Sequence, residues 1–184
     1  MVFECKKHKC LQQPHVCLNN NRIDFVDRVK YLGVVLQGSL KDDADIQRQI
    51  RSLYCAANKL RTTFHKCSTP VKNIFYRAYC TPMYACQLWN KHTSDCYNRL
   101  RVAYNNAFRI IHRIPRNVSA RHQQVIDGIV TFDALIRKNL FSFVQRCTAS
   151  SNQCLKAIMQ SDCFCKSSYV IRYNSLLYSA EMAE

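Results

Sequence analysis

The sequence predicts an α+β protein, predominantly α, in which a short N-terminal β-element precedes a helical bundle. From residue 42 onward apolar residues recur at steps of three and four, the period of a helix with one buried face. Before that point, short β-branched runs are punctuated by Asn and Gly. The 184 residues include three glycines and four prolines, too few for a many-turned β-sandwich or a Gly-rich phosphate loop. With 48% hydrophobic and 21% charged residues, the chain has the balance of a sequence that can bury a core. Three segments follow: a β-element over 1–40, a helical bundle over 41–148, and a C-terminal helical extension with a frayed tail over 149–184.

Met1-Val2-Phe3 is a strand stub. Val16-Cys17-Leu18 and Ile23-Asp24-Phe25 flank Asn19-Asn20-Asn21-Arg22, a turn signal because Asn tolerates positive φ. The run Val29 to Leu36 reads as one mostly buried strand, ended by Gln37-Gly38-Ser39. The first helix then presents Ile46, Ile50, Leu53, Ala57, Leu60, Phe64 and Cys67 on one face. Asp42, Asp43 and Asp45 at its start suit the positive end of the helix dipole and its cap better than a metal.

Thr69-Pro70 has the form of an N-cap followed by proline at the first helical position. The helix it opens is expected to bury Val71, Ile74, Phe75, Ala78 and Tyr79 before Pro82. Trp89 could stack a nucleobase, but in so apolar a run core packing is the expectation. The next helix carries Leu100, Ala103, Tyr104, Ala107, Phe108, Ile111 and Ile114 as a buried stripe that Pro115 ends. Arg101, Asn105, Arg109 and Arg113 step down its other face, with His112 beside them and Arg116 beyond. Thr131 caps a helix with Leu135, Ile136, Leu140, Phe143, Val144 and Cys147 inward, and Ser150 or Ser151 opens another.

Lys and Arg total 27 against 12 Asp and Glu, a formal net charge of +15. Residues 71–122 hold nine of the bases and one acid, Asp95. So focused an excess attracts a polyanion, most commonly nucleic acid; a solvated basic face is the bland alternative. The longest uncharged stretch, Ala78 to Asn90, spans 13 residues, short of the ~20 that cross a bilayer. No apolar run follows Lys6, Lys7 and Lys9, so no secretory signal is expected and the twelve cysteines read as reduced core thiols of an intracellular protein, nuclear or cytoplasmic.

Most other chemistry fails at this level. Cys5, His8, Cys10, His15 and Cys17 are dense but match no standard zinc spacing, and Cys163-x-Cys165 is weaker still. The sequon Asn117-Val118-Ser119 has no meaning without secretion. Nucleotidyl transfer needs carboxylates holding two metal ions, whereas Asp42-Asp43, the sole adjacent acid pair, opens a helix.

The order of several words resembles the C-terminal palm and thumb portion of a non-LTR (LINE-type) retrotransposon reverse transcriptase. They are Met1-Val2-Phe3, Val29-Lys30-Tyr31-Leu32-Gly33-Val34, Leu60 to Cys67 followed by Val71-Lys72, and Phe75 to Cys80. Leu88-Trp89, Arg99 to Arg109, Pro115 to Ala120 and Phe132 to Arg137 complete the series over about residues 1–150. The resemblance implies that 1–40 is a residual palm with a primer-grip-like hairpin, with Tyr31, Leu32 and Gly33 at its turn, and that the helices form a thumb-like bundle. It implies that the arginines of residues 99–116 lie on or beyond the thumb. Since an arginine ladder opposite a buried stripe can offer guanidinium groups to phosphates, Arg99, Arg101, Arg109, His112, Arg113 and Arg116 are the expected nucleic-acid contacts. The resemblance also implies that the catalytic aspartates lie upstream of Met1, so the expectation is a truncated RNA-directed DNA polymerase, not an enzyme by itself. No cofactor or metal is expected, although full-length members would use Mg2+. The expected partner is RNA or an RNA–DNA hybrid, bound non-specifically, with no membrane and with exposed strands free to pair with another chain. The competing expectation is a domesticated or remnant helical protein-interaction module without nucleic-acid function.

Overall fold

The computed structural model describes residues 16–181. The Met1–Phe3 strand and Cys5, His8, Cys10 and His15 lie outside the described residues. The rest is α+β and predominantly α. Two hairpins lead, β1 (Cys17–Leu18) with β2 (Asn21–Arg22) and β3 (Arg28–Tyr31) with β4 (Val34–Gln37). The helices are α1 (Asp43–Thr63), α2 (Thr69–Tyr79), α3 (Ser94–His112), α4 (Ala120–Ile126), α5 (Phe132–Thr148), α6 (Gln153–Gln160), α7 (Asp162–Cys165) and α8 (Ser168–Glu181).

Asn19 and Asn20 turn the first hairpin at φ 49° and 60°. The second corrects the expectation of one buried strand over 29–36. Tyr31 pairs with Val34 across Leu32-Gly33, both at positive φ, and β3 is exposed while β4 half-buries against α1. Gly33 sits at φ +82° under the Tyr84 ring, 3.2 Å from where a Cβ would project.

The three aspartates at the start of α1 do more than complement its dipole, and none makes the expected side-chain cap. Asp45 is 1% exposed and accepts hydrogen bonds from the Val35 backbone N–H (3.0 Å) and the Trp89 indole N–H (2.9 Å) while pairing with Arg48 at 2.7 Å. Asp42 accepts from the Asn90 and Lys91 N–H groups, and Asp43 from the N–H and hydroxyl of Thr93. The acids therefore tie hairpin β3–β4 and the 89–93 loop to one helix end. Trp89 is a core residue, as its apolar neighbours suggested.

α1 and α3 pack along most of their length and form the centre of the core. Leu53, Leu60, Leu100, Tyr104 and Phe108 meet there. Contacts of Asp43 with Cys96 and Tyr54 with Asn106 make the helices parallel, so their C-termini lie at one end of the molecule.

On α2 the buried side differs from expectation. Asn73, Tyr76 and Cys80 face inward, while Val71, Ile74, Ala78 and Tyr79 are exposed and Phe75 is half-buried. Tyr76 decides the rotation: its ring meets Tyr104 and Phe108 edge-on, and its hydroxyl donates to the Tyr104 carbonyl at 3.1 Å. That buries a large aromatic surface with its one polar atom satisfied, which Ile74 cannot match. Ser68, not Thr69, is the N-cap residue.

On α5 Leu135, Ile136, Leu140 and Val144 are buried, with Phe143 and Cys147 half-buried. Asn152 takes the cap expected of Ser150 or Ser151, accepting from the Leu155 N–H. Within the tail, Ser168–Glu181 is helical: α8 docks on α5 through Tyr169 and Tyr173, and Arg172 donates to the Trp89 carbonyl at 3.1 Å. The expectation of core thiols holds for some of the described cysteines and not for others. Cys80, Cys86 and Cys96 are buried, Cys80 with its thiol pushed up to about 12 by burial, while Cys17, Cys55, Cys154, Cys163 and Cys165 are exposed. No helix is long and apolar enough to cross a membrane among the described residues.

Candidate nucleic-acid interface

Because α1 and α3 run parallel, their C-terminal halves and the loop after α3 line an open groove of about 1020 Å³. Its basic lining is Arg61 and His65 from the α1 side, and Arg109, Arg113 and Arg116 from the α3 side. Tyr54, Ile110 and Ile114, half-buried against the core, contribute apolar surface to it. Each helix C-terminus carries roughly half a negative charge, so the two ends offset about one of the four arginine charges.

The α3 residues are held by local geometry. The helix ends at His112, earlier than Pro115 suggests, because Arg113 adopts a left-handed φ of 58°. The N–H groups of Arg113 and Ile114 both return to the Arg109 carbonyl. This swings Arg113 off the expected helical ladder and leaves Ile114 half-exposed at the groove. Arg109 is oriented by the Val118 carbonyl (3.1 Å) and the Asn106 side-chain oxygen (3.4 Å). The Asn106 amide group in turn donates to the Tyr54 hydroxyl at 3.3 Å.

Ion pairing separates these arginines from Arg28, Arg48, Arg101 and Arg121. Asp133 takes both Arg101 and Arg121, at 3.2 and 3.3 Å, Asp45 takes Arg48, and Asp27 takes Arg28. Among the described residues those are the ion pairs, so the four groove arginines have no carboxylate partner.

Of the residues singled out from the sequence, Arg109, Arg113 and Arg116 come together in the groove. Arg101 does not: its guanidinium pairs with Asp133 and lies over the Tyr97 and Phe132 rings at 5.7 and 5.9 Å. Arg99 is exposed near the start of α3, away from the groove. His112 is half-buried against Phe108, and burial holds its imidazole below the ordinary histidine range, with Asp127 opposing that shift and Lys72 adding to it. Tyr31 and Leu32 are exposed at the β3–β4 tip. That hairpin meets α1 at Asp45, sixteen residues before Arg61, about 24 Å along the helix at 1.5 Å per residue. Tyr31, Leu32 and Gly33 therefore do not share a site with the groove arginines.

Arg61, His65, Tyr54 and Asn106 escaped the sequence reading. Arg61 and His65 are four apart and off the apolar stripe of α1, a spacing that marks a basic strip. Nothing in the sequence says that this strip faces Arg109. Among the described residues no cluster of His, Cys, Asp or Glu side chains is placed to hold a metal ion. No family model, curated protein or solved structure matches the chain.

Proposed function

We propose that the chain is a catalytically incomplete palm and thumb portion of a non-LTR retrotransposon reverse transcriptase that binds RNA or an RNA–DNA hybrid non-specifically. The lineage rests on the shared order of words from Val29-Lys30-Tyr31-Leu32-Gly33-Val34 to Phe132–Arg137. The binding rests on one observation, the groove whose four arginines have no carboxylate partner among the described residues. Guanidinium groups grip phosphate oxygens in pairs without reading base sequence.

Filter binding of an RNA–DNA hybrid across a salt series tests this. Neutralising about four phosphates gives log K falling with log salt at a slope of about −3 to −4. Arg113→Glu with Arg116→Glu should cost at least tenfold and flatten the slope. Absence of retention of both the hybrid and a single-stranded RNA at low salt overturns the binding, and metal-dependent nucleotide incorporation overturns catalytic incompleteness.

The exposed residues Val71, Ile74 and Tyr79 of α2, at 36%, 60% and 62%, favour a second reading as a protein-interaction module. A chain that ignores nucleic acid but binds a protein through α2 would support it.

A further inference from the structure

We infer that the α1–α3 groove seats unpaired nucleotides of a single strand in preference to a duplex, an inference that rests on the nucleic-acid reading above. Its lining combines two chemistries that a double helix cannot satisfy together. Arg61, Arg109, Arg113 and Arg116 supply phosphate donors, while Tyr54, Ile110 and Ile114 supply ring and aliphatic surface. A duplex turns its phosphates outward and keeps its base faces stacked inside, so it reaches the arginines and leaves the apolar surface without a partner. A single strand presents phosphate and base face side by side, the combination that stacking platforms and basic channels use.

The size of the groove points the same way. Its walls come from two directly packed helices, whose axes in such contacts lie roughly 8–10 Å apart. At about 1020 Å³ it matches the upper end of small-molecule pockets, roughly 300–1,000 Å³, and holds a few nucleotides of a longer strand. The apolar and cationic parts are also mechanically joined: the Asn106 side chain accepts from Arg109 and donates to the Tyr54 hydroxyl. The ring and the phosphate donor thus keep a fixed spacing before any ligand arrives, which lowers the entropy lost on binding. Arg113 adds a charge at a backbone conformation that only a defined turn maintains.

The test is fluorescence anisotropy of the full chain with four probes at one salt concentration: an unstructured oligouridine, a blunt RNA duplex, an RNA–DNA hybrid of equal phosphate number, and heparin. The single strand should bind about tenfold tighter than either duplex, since one stacked base is worth roughly that factor. Tyr54→Ala should weaken oligouridine binding by about tenfold and leave duplex and heparin affinities within twofold. Tyr54→Leu, which preserves apolar bulk without an aromatic face, should behave alike and serves if Tyr54→Ala loses its Trp89 fluorescence signature. Arg113→Glu with Arg116→Glu should weaken all four. Duplexes binding as tightly as the single strand, or a folded Tyr54 variant that leaves oligouridine binding unchanged, overturns the inference while the nucleic-acid reading stands. No binding of any nucleic acid overturns both.

Discussion

Arg113 holds a φ of 58°, where a residue with a Cβ pays about 1–2 kcal/mol relative to the right-handed region. Glycine is the usual occupant of such a helix-ending position, so arginine there sacrifices stability for a charge at the groove rim. Arg113→Gly should therefore raise the melting temperature by about 2–4 °C, the yield of about 1 kcal/mol in a chain of this size. The same variant should weaken RNA binding severalfold. Opposite signs for stability and binding identify a functional arginine; loss of both would mark a structural one. Asp45 works in the other direction. Its carboxylate satisfies Val35, Trp89 and Arg48 at once while 1% exposed. Asp45→Ala leaves an indole N–H, a backbone N–H and a guanidinium without their acceptor. Arg48 retains some solvent exposure, which holds the cost to about 3 kcal/mol, and the melting temperature should fall by about 6–12 °C. Trp89 is the single tryptophan, so denaturation followed by its fluorescence reads the loss at the site itself.

Elements were legible where their periodicity was strong. The buried stripe of α3 from Leu100 to Ile111 and the inward residues of α5 follow from spacing alone, because each helix packs one wide apolar face. The same reasoning misplaced α2, where two faces compete and the winner depends on whether the Tyr76 hydroxyl finds an acceptor on α3. It also joined β3 and β4 into one strand. The signal that would have divided them is weak because Leu32-Gly33 lacks the Asn or Asp that usually leads such a turn. Leu32 sits at φ 47° and is 73% exposed, so its side chain stabilises neither the turn nor the core. Leu32→Asn should stabilise the hairpin by about 1 kcal/mol and slow amide exchange across residues 28–37 several-fold. Exchange unchanged in that segment would mean that packing on α1, not turn strain, limits its opening.

Over the whole molecule the charge is the property the sequence displays most plainly and locates least well. The excess in residues 71–122 includes Arg109, Arg113 and Arg116 of the groove, yet Arg101 of that segment is neutralised by Asp133, while Arg61 from a segment of ordinary charge completes the groove. The parallel alignment of α1 and α3 creates the site, and pairings across some fifty residues are invisible to local spacing. A chain at +15 also repels itself, so any polyanion that binds the folded state should stabilise it. At about one hundred times its dissociation constant, a ligand contributes about 2.7 kcal/mol, or a melting rise of about 5–10 °C. The question is whether that rise comes from diffuse charge or from the groove. Arg113→Glu with Arg116→Glu lowers the formal charge from +15 by four, so a diffuse field would keep about three-quarters of the rise. A focused groove loses most of it, since two of its four arginines become acids facing the phosphates. Thermal shift with heparin on both proteins separates the outcomes, and retention of three-quarters of the rise would sink the groove as the anion site.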